Sequence, residues 1–184
     1  MGTAREPKPV KLFVALLAAE ENFFPPVEND LGALFGPVES ASRVFRWAVT
    51  NYYEREMGSG LFRRFLSFGP LIAPEALAEI KHQTRSIEDG YQRAEGAGRR
   101  RRVNIDPGYL DAGKVVLAST KDAAHRIYLR AGIYAELTLL YYDGAFHPFG
   151  YTYPDYLWPE TAEFLAALRS RYLEQLKQNG PGLL

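Results

Sequence analysis

Side chains capable of acid–base or binding chemistry are concentrated in one stretch of the sequence, residues 102–156. The stretch carries no Walker loop, GxGxxG or GxSxG motif, which argues against the common NTPases, dinucleotide enzymes and serine hydrolases. Any function of these residues therefore depends on whether the fold brings them together. The candidates are Asp106, Tyr109, Lys114, Lys121, His125, Arg126, Glu136 and Asp155.

Three of these residues are candidates for moving or orienting a proton. A histidine titrates near neutral pH, so His125 is the candidate general acid or base. Asp106 and Glu136 are the candidate carboxylates that orient it. Each carboxylate also has a structural interpretation. Asp106 precedes Pro-Gly, and an aspartate in that position commonly hydrogen-bonds the backbone of its own turn, which is the interpretation we favour. Glu136, if its face of the sheet is covered, needs a partner such as Arg126 or Arg130.

The basic residues of the stretch predict a binding site for an anion. Arg126, Lys121 and Lys114 suit a phosphate or a carboxylate, and we add Tyr109 and Asp155 to the predicted ligand-binding set. The hypothesis is a small anionic ligand, phosphorylated or nucleotide-like. The alternative is a non-catalytic interaction module, in which the polar cluster is an internal salt-bridge network and the aromatic segment TYPDYLWP binds a partner. One concave pocket would favour the first hypothesis.

Metal and cofactor chemistry has weak support in the sequence. His125, Glu136, Asp106 and Asp155 offer mixed nitrogen and oxygen ligands, but they lack a recognised spacing such as HExxH, so we predict no metal site and identify no cofactor. The chain has no cysteine, which excludes disulfides and thiolate metal sites.

Charge and hydropathy limit the classes of partner. The chain carries 22 basic and 22 acidic residues, and this zero net charge argues against binding to nucleic acid or to an anionic membrane. Residues 99–102 are a local run of four arginines that could still contact phosphate groups. The apolar run in residues 12–19 is shorter than the ~20 residues of a membrane span, and Glu20 and Glu21 follow it in place of a cleavage site. We therefore expect a cytoplasmic protein that no membrane anchors.

The first half of the chain alternates strands and helices. Residues 11–18 are a near-continuous apolar run typical of a strand buried on both faces, and residues 28–35 predict a short helix after the break at Pro25-Pro26. Residues 44–57 alternate with a period of two, and with residues 61–72 they predict a hairpin. Residues 74–91 then predict an amphipathic helix, and residues 103–106 a short strand before a turn at Asp106-Pro107-Gly108.

The second half predicts a β-meander followed by a helix. Residues 110–120 suit either a helix or a strand, and the spacing of their leucines and lysines leads us to favour the helix. Strands follow at 125–130, with Ile127 and Leu129 on one face, and at 133–142, with Glu136 on the outer face. Asp143-Gly144 predicts a tight hairpin turn into a third strand at 145–151. A final helix begins at Pro159.

Together these elements predict an α+β protein. The order strand, helix, strand, strand, helix, strand is that of the ferredoxin-like βαββαβ core, to which an antiparallel meander and a C-terminal helix are added. We expect residues 1–184 to form a single domain with a loose N-terminal arm (1–9), a ferredoxin-like half (10–106), and a meander with its C-terminal helix (107–184).

Several segments resemble a known family along most of the chain and in the same order. They are FGPVESAS, TNYYEREMG, FLSFGPLIAPEALAEIK, RRVNIDPGYL, KVVLASTKDAAHRIYL, GIYAELTL and TYPDY. On these segments the chain resembles the catalogued domain-of-unknown-function family numbered forty-four sixteen, a group of small bacterial and archaeal proteins. One departure is KHQTRSIED, where Arg85 stands in place of the expected asparagine. The resemblance implies a stand-alone protein and supplies no activity, cofactor or site residue.

Overall fold

The computed structural model describes residues 2–47, 54–95 and 98–178. Residues 48–53 of the predicted strand 44–57, and residues 179–184 of the tail, lie outside them. The described helices are α1 (Phe24–Phe35), α2 (Glu54–Met57), α3 (Leu77–Gly90) and α4 (Pro159–Gln178). The strands are β1 (Val10–Ala18), β2 (Val38–Ala41), β3 (Phe45–Trp47), β4 (Leu61–Ile72), β5 (Arg93–Glu95), β6 (Gly98–Arg100), β7 (Val103–Leu110), β8 (Lys114–Ser119), β9 (Arg126–Arg130), β10 (Ile133–Tyr142) and β11 (Ala145–Pro148).

The protein has a mixed α+β fold built on a large antiparallel sheet. In the described ranges the sheet contains nine strands, with the main order β11-β10-β8-β7-β1-β4-β2. Strand β3 pairs with β4, and β9 pairs with β10, while β5 and β6 form a separate ribbon. β7 crosses the boundary that we drew at residue 106, so the sheet is continuous between the two predicted halves. The single-domain organisation stays a prediction.

Helices cover both faces of the sheet, which explains why every residue of β1 is buried. Leu12, Val14 and Leu16 face the side covered by α1 and α3. Phe13 and Ala15 face the opposite side, which α4 covers with its buried apolar residues. The predicted strand buried on both faces is therefore present. No helix in the described part of the chain is long and apolar enough to cross a membrane.

Two predictions in the middle of the chain are wrong. Asp106-Pro107-Gly108 is not a turn but the interior of β7, where each of the three residues is paired with β1. Residues 114–119 form strand β8 and not a helix, because Val115 and Val116 are buried between two neighbouring strands. In both segments the tertiary pairing overrides the local turn and helix preferences.

The first half also differs from its prediction in detail. Pro25 and Pro26 do not break the chain but lie in the first turn of α1, where proline is tolerated. Strand β2 was not predicted at all. Only Phe45–Trp47 of the predicted strand 44–57 is a described strand, and Glu54–Met57 is a single helical turn. The predicted pairing between this region and β4 is present through β3.

In the meander the bounds of β10 and the tight turn at Asp143-Gly144 agree with the prediction. Ile127 is 73% exposed and Leu129 is also exposed, so the face of β9 that carries them is not part of the core. Glu136 is not on an open face, since it is buried at 2% exposure.

Gly108 marks the closest approach of β7 and β8. A Cβ atom placed there would lie 2.6 Å from the carbonyl oxygen of Val116 and 2.8 Å from the ring of Phe13. Both neighbours are held in the sheet, so neither can move aside cheaply. Only glycine therefore allows the two strands to pair at this point.

We predict that Gly108→Ala lowers the free energy of unfolding by about 1–3 kcal/mol, the usual cost of overpacking a core. The measurement is urea unfolding followed by circular dichroism. The control is Gly32→Ala in α1, where an added Cβ meets nothing within 4 Å. That helical substitution should raise stability by about 0.5–1 kcal/mol. Equal effects of the two substitutions would contradict the close approach.

Candidate functional site

The sheet opens between β7 and β8. These strands pair only through residues 108–110 and 115–117 in the described register. Before residue 108, β7 continues beside β1, and after residue 117, β8 continues beside β10. A cavity of about 140 Å³ lies where they diverge, and residues of both strands line it. Side chains from α3 and from the segment before α4 also line it, so all the layers of the fold contribute to the pocket.

Two side chains of α3 take the place of the missing strand beside β7. Glu88 accepts a hydrogen bond from the backbone N–H of Ile105 at 2.6 Å, and Lys81 Nζ donates to the Ile105 carbonyl at 2.8 Å. Both side chains are buried. An unpaired backbone group in the interior costs about 1–3 kcal/mol. Because Lys81 and Glu88 pair with Ile105, β7 can separate from β8 without that penalty.

Asp106 forms one wall of the pocket. Its carboxylate accepts hydrogen bonds from Lys81 Nζ at 3.1 Å and from the Asn104 amide at 2.6 Å, and 29% of the side chain is exposed. Burial would raise the pKa of Asp106, but the charges of Lys81 and Arg63 and these hydrogen bonds outweigh it and hold the pKa below its ordinary value. Asp106 is therefore an ionised carboxylate at neutral pH.

Glu136 and Arg126 form the opposite wall. They are directly opposite each other in the β9–β10 register, and Arg126 Nε donates to Glu136 Oε2 at 2.8 Å. His125 Nε2 lies 3.2 Å from the same oxygen, and the His125 ring stacks on Tyr151 at a centroid distance of 4.1 Å. Arg126 also donates to the backbone carbonyl of Lys121 at 3.0 Å. The strand pairing thus fixes an ion pair at the pocket surface.

The floor of the pocket comes from β4 and the aromatic segment TYPDYLWP. Arg63 of β4 forms a buried ion pair with Asp155 at 2.7 Å. Tyr156 is 3% exposed, and its hydroxyl has no hydrogen-bond partner within the described ranges. Burial raises the pKa of Tyr156 well above its ordinary value despite the opposing charge of Arg63, so the hydroxyl keeps its proton.

Positive charge exceeds negative charge around the pocket. Four carboxylates line it among the described residues, namely Glu56, Glu88, Asp106 and Glu136. Six cations line it, namely Arg63, Lys81, Arg85, Arg101, Lys121 and Arg126. Six positive and four negative charges leave a formal surplus of two. Such a surplus in a concave site with low-dielectric walls attracts anions.

The structure brings together half of the eight candidate residues from the sequence. Asp106, Glu136, Arg126 and Lys121 line the pocket. The other four, Tyr109, Lys114, His125 and Asp155, are not part of the lining.

Two candidates lie just behind the pocket surface. His125 is held on Glu136, and Asp155 is buried beneath the floor as the partner of Arg63. Neither residue lines the cavity itself.

The remaining two lie away from the cavity. Lys114 pairs with Asp111 at the far end of β8. Tyr109 packs against the apolar cluster around Leu77 and Val116. In the part of the chain that is described, no group of three His, Cys, Asp or Glu side chains is placed to hold a metal ion. Of the basic run 99–102, Arg101 lines the pocket.

The sequence reasoning missed several pocket residues, although a signal was present. Lys81 and Glu88 lie on the buried stripe of α3, four residues after Leu77 and Thr84, where a charged residue needs a partner. Arg63 occupies an inward position of β4 between Leu61 and Phe65 in the same way. Charged residues at core-facing positions were therefore the better guide to the site.

Comparison with known proteins gives a family. A family model described as a domain of unknown function, DUF4416, matches residues 8–172 of the 184 residues. The match confirms the resemblance found in the sequence. No curated protein and no solved structure matches the chain. The function has therefore to be argued from the pocket.

We predict that Lys81→Met lowers the free energy of unfolding by roughly 2–4 kcal/mol, because the Ile105 carbonyl loses its hydrogen-bond donor and Asp106 loses the ammonium paired with it. Urea unfolding measures the loss. Lys177→Met removes the same charge from the exposed side of α4 and should stay within about 0.5 kcal/mol of the natural protein. A loss no larger for Lys81 than for Lys177 would contradict the bridging role.

A second prediction concerns pH. Burial raises the pKa of Glu88, and Lys81 and the Ile105 N–H oppose the shift without cancelling it. A carboxyl with a raised pKa binds its proton more tightly when folded, so its contribution to stability falls as pH rises from about 4.3, the ordinary glutamate pKa, through the raised value. Glu88→Gln cannot ionise and keeps an acceptor for Ile105. Relative to the natural protein, this variant should therefore gain stability across that window.

The free energy of unfolding, measured from pH 4 to 8, tests this prediction. Glu163→Gln on the exposed face of α4 is the control and should track the natural protein at every pH. The pKa of Asp106 is lowered, so its contribution to the free energy of unfolding is lost only as pH falls below the ordinary aspartate pKa. That change lies outside the measured pH range. A difference for Glu88→Gln that is constant with pH would overturn the assignment.

Proposed function

Because the chain belongs to the DUF4416 family, which is described only as a domain of unknown function, we propose its function from the pocket. The protein binds a small anionic ligand, phosphorylated or nucleotide-like, in the cavity between β7 and β8. The observation that carries this proposal is the convergence of six cations against four carboxylates in one concave site. Like charges brought together repel each other, and a bound anion would relieve that repulsion.

The cations come from separate elements, which suits an anion held from several sides. Arg63 belongs to β4, Lys81 and Arg85 to α3, and Arg126 to β9, while Lys121 lies in the loop after β8. Arginine presents a planar fork to oxygen pairs, and lysine supplies a point charge. Phosphoryl groups, with three terminal oxygens, fit such a mixed set.

The roles proposed for the sequence candidates follow from their positions. Arg126 and Lys121 contact the anion. His125 does not line the cavity, but its Nε2 atom lies 3.2 Å from Glu136 Oε2. His125 therefore acts on the ligand only through Glu136. A proton moved by His125 would therefore pass by way of Glu136, and Asp106 would contact the ligand directly.

The strand order supports a ferredoxin-like core in the first half. The order β7-β1-β4-β2, antiparallel throughout, corresponds to strands four, one, three and two of a βαββαβ unit, with α1 and α3 on one face. We propose this core and regard the meander and α4 as its additions. We also propose a cytoplasmic location, since the chain contains no cysteine that an oxidising compartment would pair.

A non-catalytic interaction module is the second candidate. Four cations of the lining are in ion pairs. Three of them pair with carboxylates of the lining, namely Lys81 with Asp106, Arg101 with Glu56 and Arg126 with Glu136. Arg63 pairs with Asp155 beneath the floor. Strand β9 also exposes Ile127 and Tyr128 at an edge of the sheet, and exposed apolar edges are sites of protein association. In this case the pocket charges form a structural network and no small molecule stabilises the protein.

Thermal unfolding with a panel of phosphate esters, nucleotides and organic acids tests the proposal. A ligand at a hundred times its Kd should stabilise the native state by about 2.7 kcal/mol and raise Tm accordingly. Arg85→Gln, which removes an exposed cation of the lining, should weaken the binding about tenfold. Arg171→Gln makes the same change on α4, outside the lining, and should leave the binding unaltered.

The outcome separates the two candidates. A shift in Tm that Arg85→Gln reduces and Arg171→Gln does not would support ligand binding. No shift with any compound, or an equal reduction in both variants, would exclude this pocket as the anion site and favour the interaction module.

A further inference from the structure

Two polar side chains of the pocket, Tyr156 and Asp106, have unused hydrogen-bonding capacity, and they differ in whether they can donate or accept. Tyr156 lines the cavity, and its buried hydroxyl has no hydrogen-bond partner among the described residues. The Asp106 carboxylate lines the same cavity and is partly exposed to it. One can donate a hydrogen bond, whereas the other, when ionised, can only accept.

Tyr156 is suited to contact an anion. A buried hydroxyl without a partner costs free energy, and a ligand oxygen would remove that cost. The raised pKa keeps the proton on the oxygen at neutral pH, so the group stays a donor. Tyr156 lines the cavity together with Arg63 and Asp106.

Asp106 is unsuited to contact an anion. Each of its oxygens already has one donor, from Lys81 and from Asn104, but a carboxylate offers about four acceptor sites. The partly exposed carboxylate lines a cavity that we propose to hold negative charge. A bare anion would be repelled there, while a ligand hydroxyl would find a charged acceptor.

Resting on the proposed function, we infer that the ligand of this pocket is a hydroxylated phosphate ester, such as a phosphorylated polyol. Its phosphoryl oxygens accept from Tyr156 and the surrounding cations, and a neighbouring hydroxyl donates to Asp106. Asp106 is then the residue that distinguishes this ligand from a plain phosphate. The volume of the cavity fits such a ligand. A protein cavity of about 150 Å³ holds a benzene-sized molecule. This cavity of about 140 Å³ therefore accommodates a phosphoryl group with its first hydroxylated carbons.

Isothermal titration of the natural protein with two matched probes tests the inference. Glycerol 3-phosphate and n-propyl phosphate have the same carbon chain and the same phosphoryl group, and only the first carries hydroxyls. A hydrogen bond to a charged acceptor predicts that glycerol 3-phosphate binds about tenfold or more tightly than n-propyl phosphate. Glycerol without phosphate should not bind measurably, because it lacks the anion.

Two variants assign the preference to residues. Asp106→Asn removes the charge, so it should bring the two probes to within a few-fold of each other and bind n-propyl phosphate at least as tightly as the natural protein does. Tyr156→Phe should weaken both probes by a similar factor, because the phosphoryl group is common to them. The thermal melting of each variant shows whether it is folded, and the comparison on the natural protein requires no variant.

The failures are distinct. Equal binding of the two probes to the natural protein would overturn the inference and leave anion binding in place. Binding of neither probe, together with no response to the wider panel of anions, would overturn the proposed function as well. A tenfold preference that survives in Asp106→Asn would overturn the role of Asp106.

Discussion

The pocket depends on two hydrogen bonds between α3 and the backbone of β7. Lys81 and Glu88 satisfy the carbonyl and the N–H of Ile105, which a neighbouring strand would otherwise pair. A sheet can open in its interior only if the exposed backbone groups find other partners. The helix supplies them, and the sheet therefore remains continuous at Gly108 while it opens a few residues away.

The same side chains connect the backbone to the chemistry of the site. Lys81 contacts both the Ile105 carbonyl and the Asp106 carboxylate, so the group that holds the gap open also keeps Asp106 ionised. Across the cavity, the β9–β10 register places Arg126 against Glu136. Each wall thus carries an ion pair fixed by secondary structure.

At the end of β1 that lies away from the pocket, a buried lysine connects the sheet to α4. Lys11 is fully buried and forms an ion pair with Glu39 at 2.7 Å. Its Nζ also donates to the carbonyl of Gly69 at 3.1 Å and to the side chain of Gln175 in α4 at 2.9 Å. A buried ammonium is tolerated only with such a set of acceptors. The contact ties α4 to the sheet, and α4 in turn covers the face that the first two long helices leave open.

The sequence by itself determined the elements whose pattern is strong and local: β1, β4, β10, α3, α4 and the turn at Asp143-Gly144. It also identified the stretch that supplies Asp106, Arg126 and Glu136, because charged groups and strand signals coincide there. Only the tertiary structure decided that residues 106–108 and 114–119 are strands. Residues 106–108 pair with β1, near the start of the chain, and residues 114–119 are held between β7 and β10. The pocket was likewise a tertiary result, because Arg63, Lys81 and Tyr156 meet the stretch only when the sheet opens between β7 and β8.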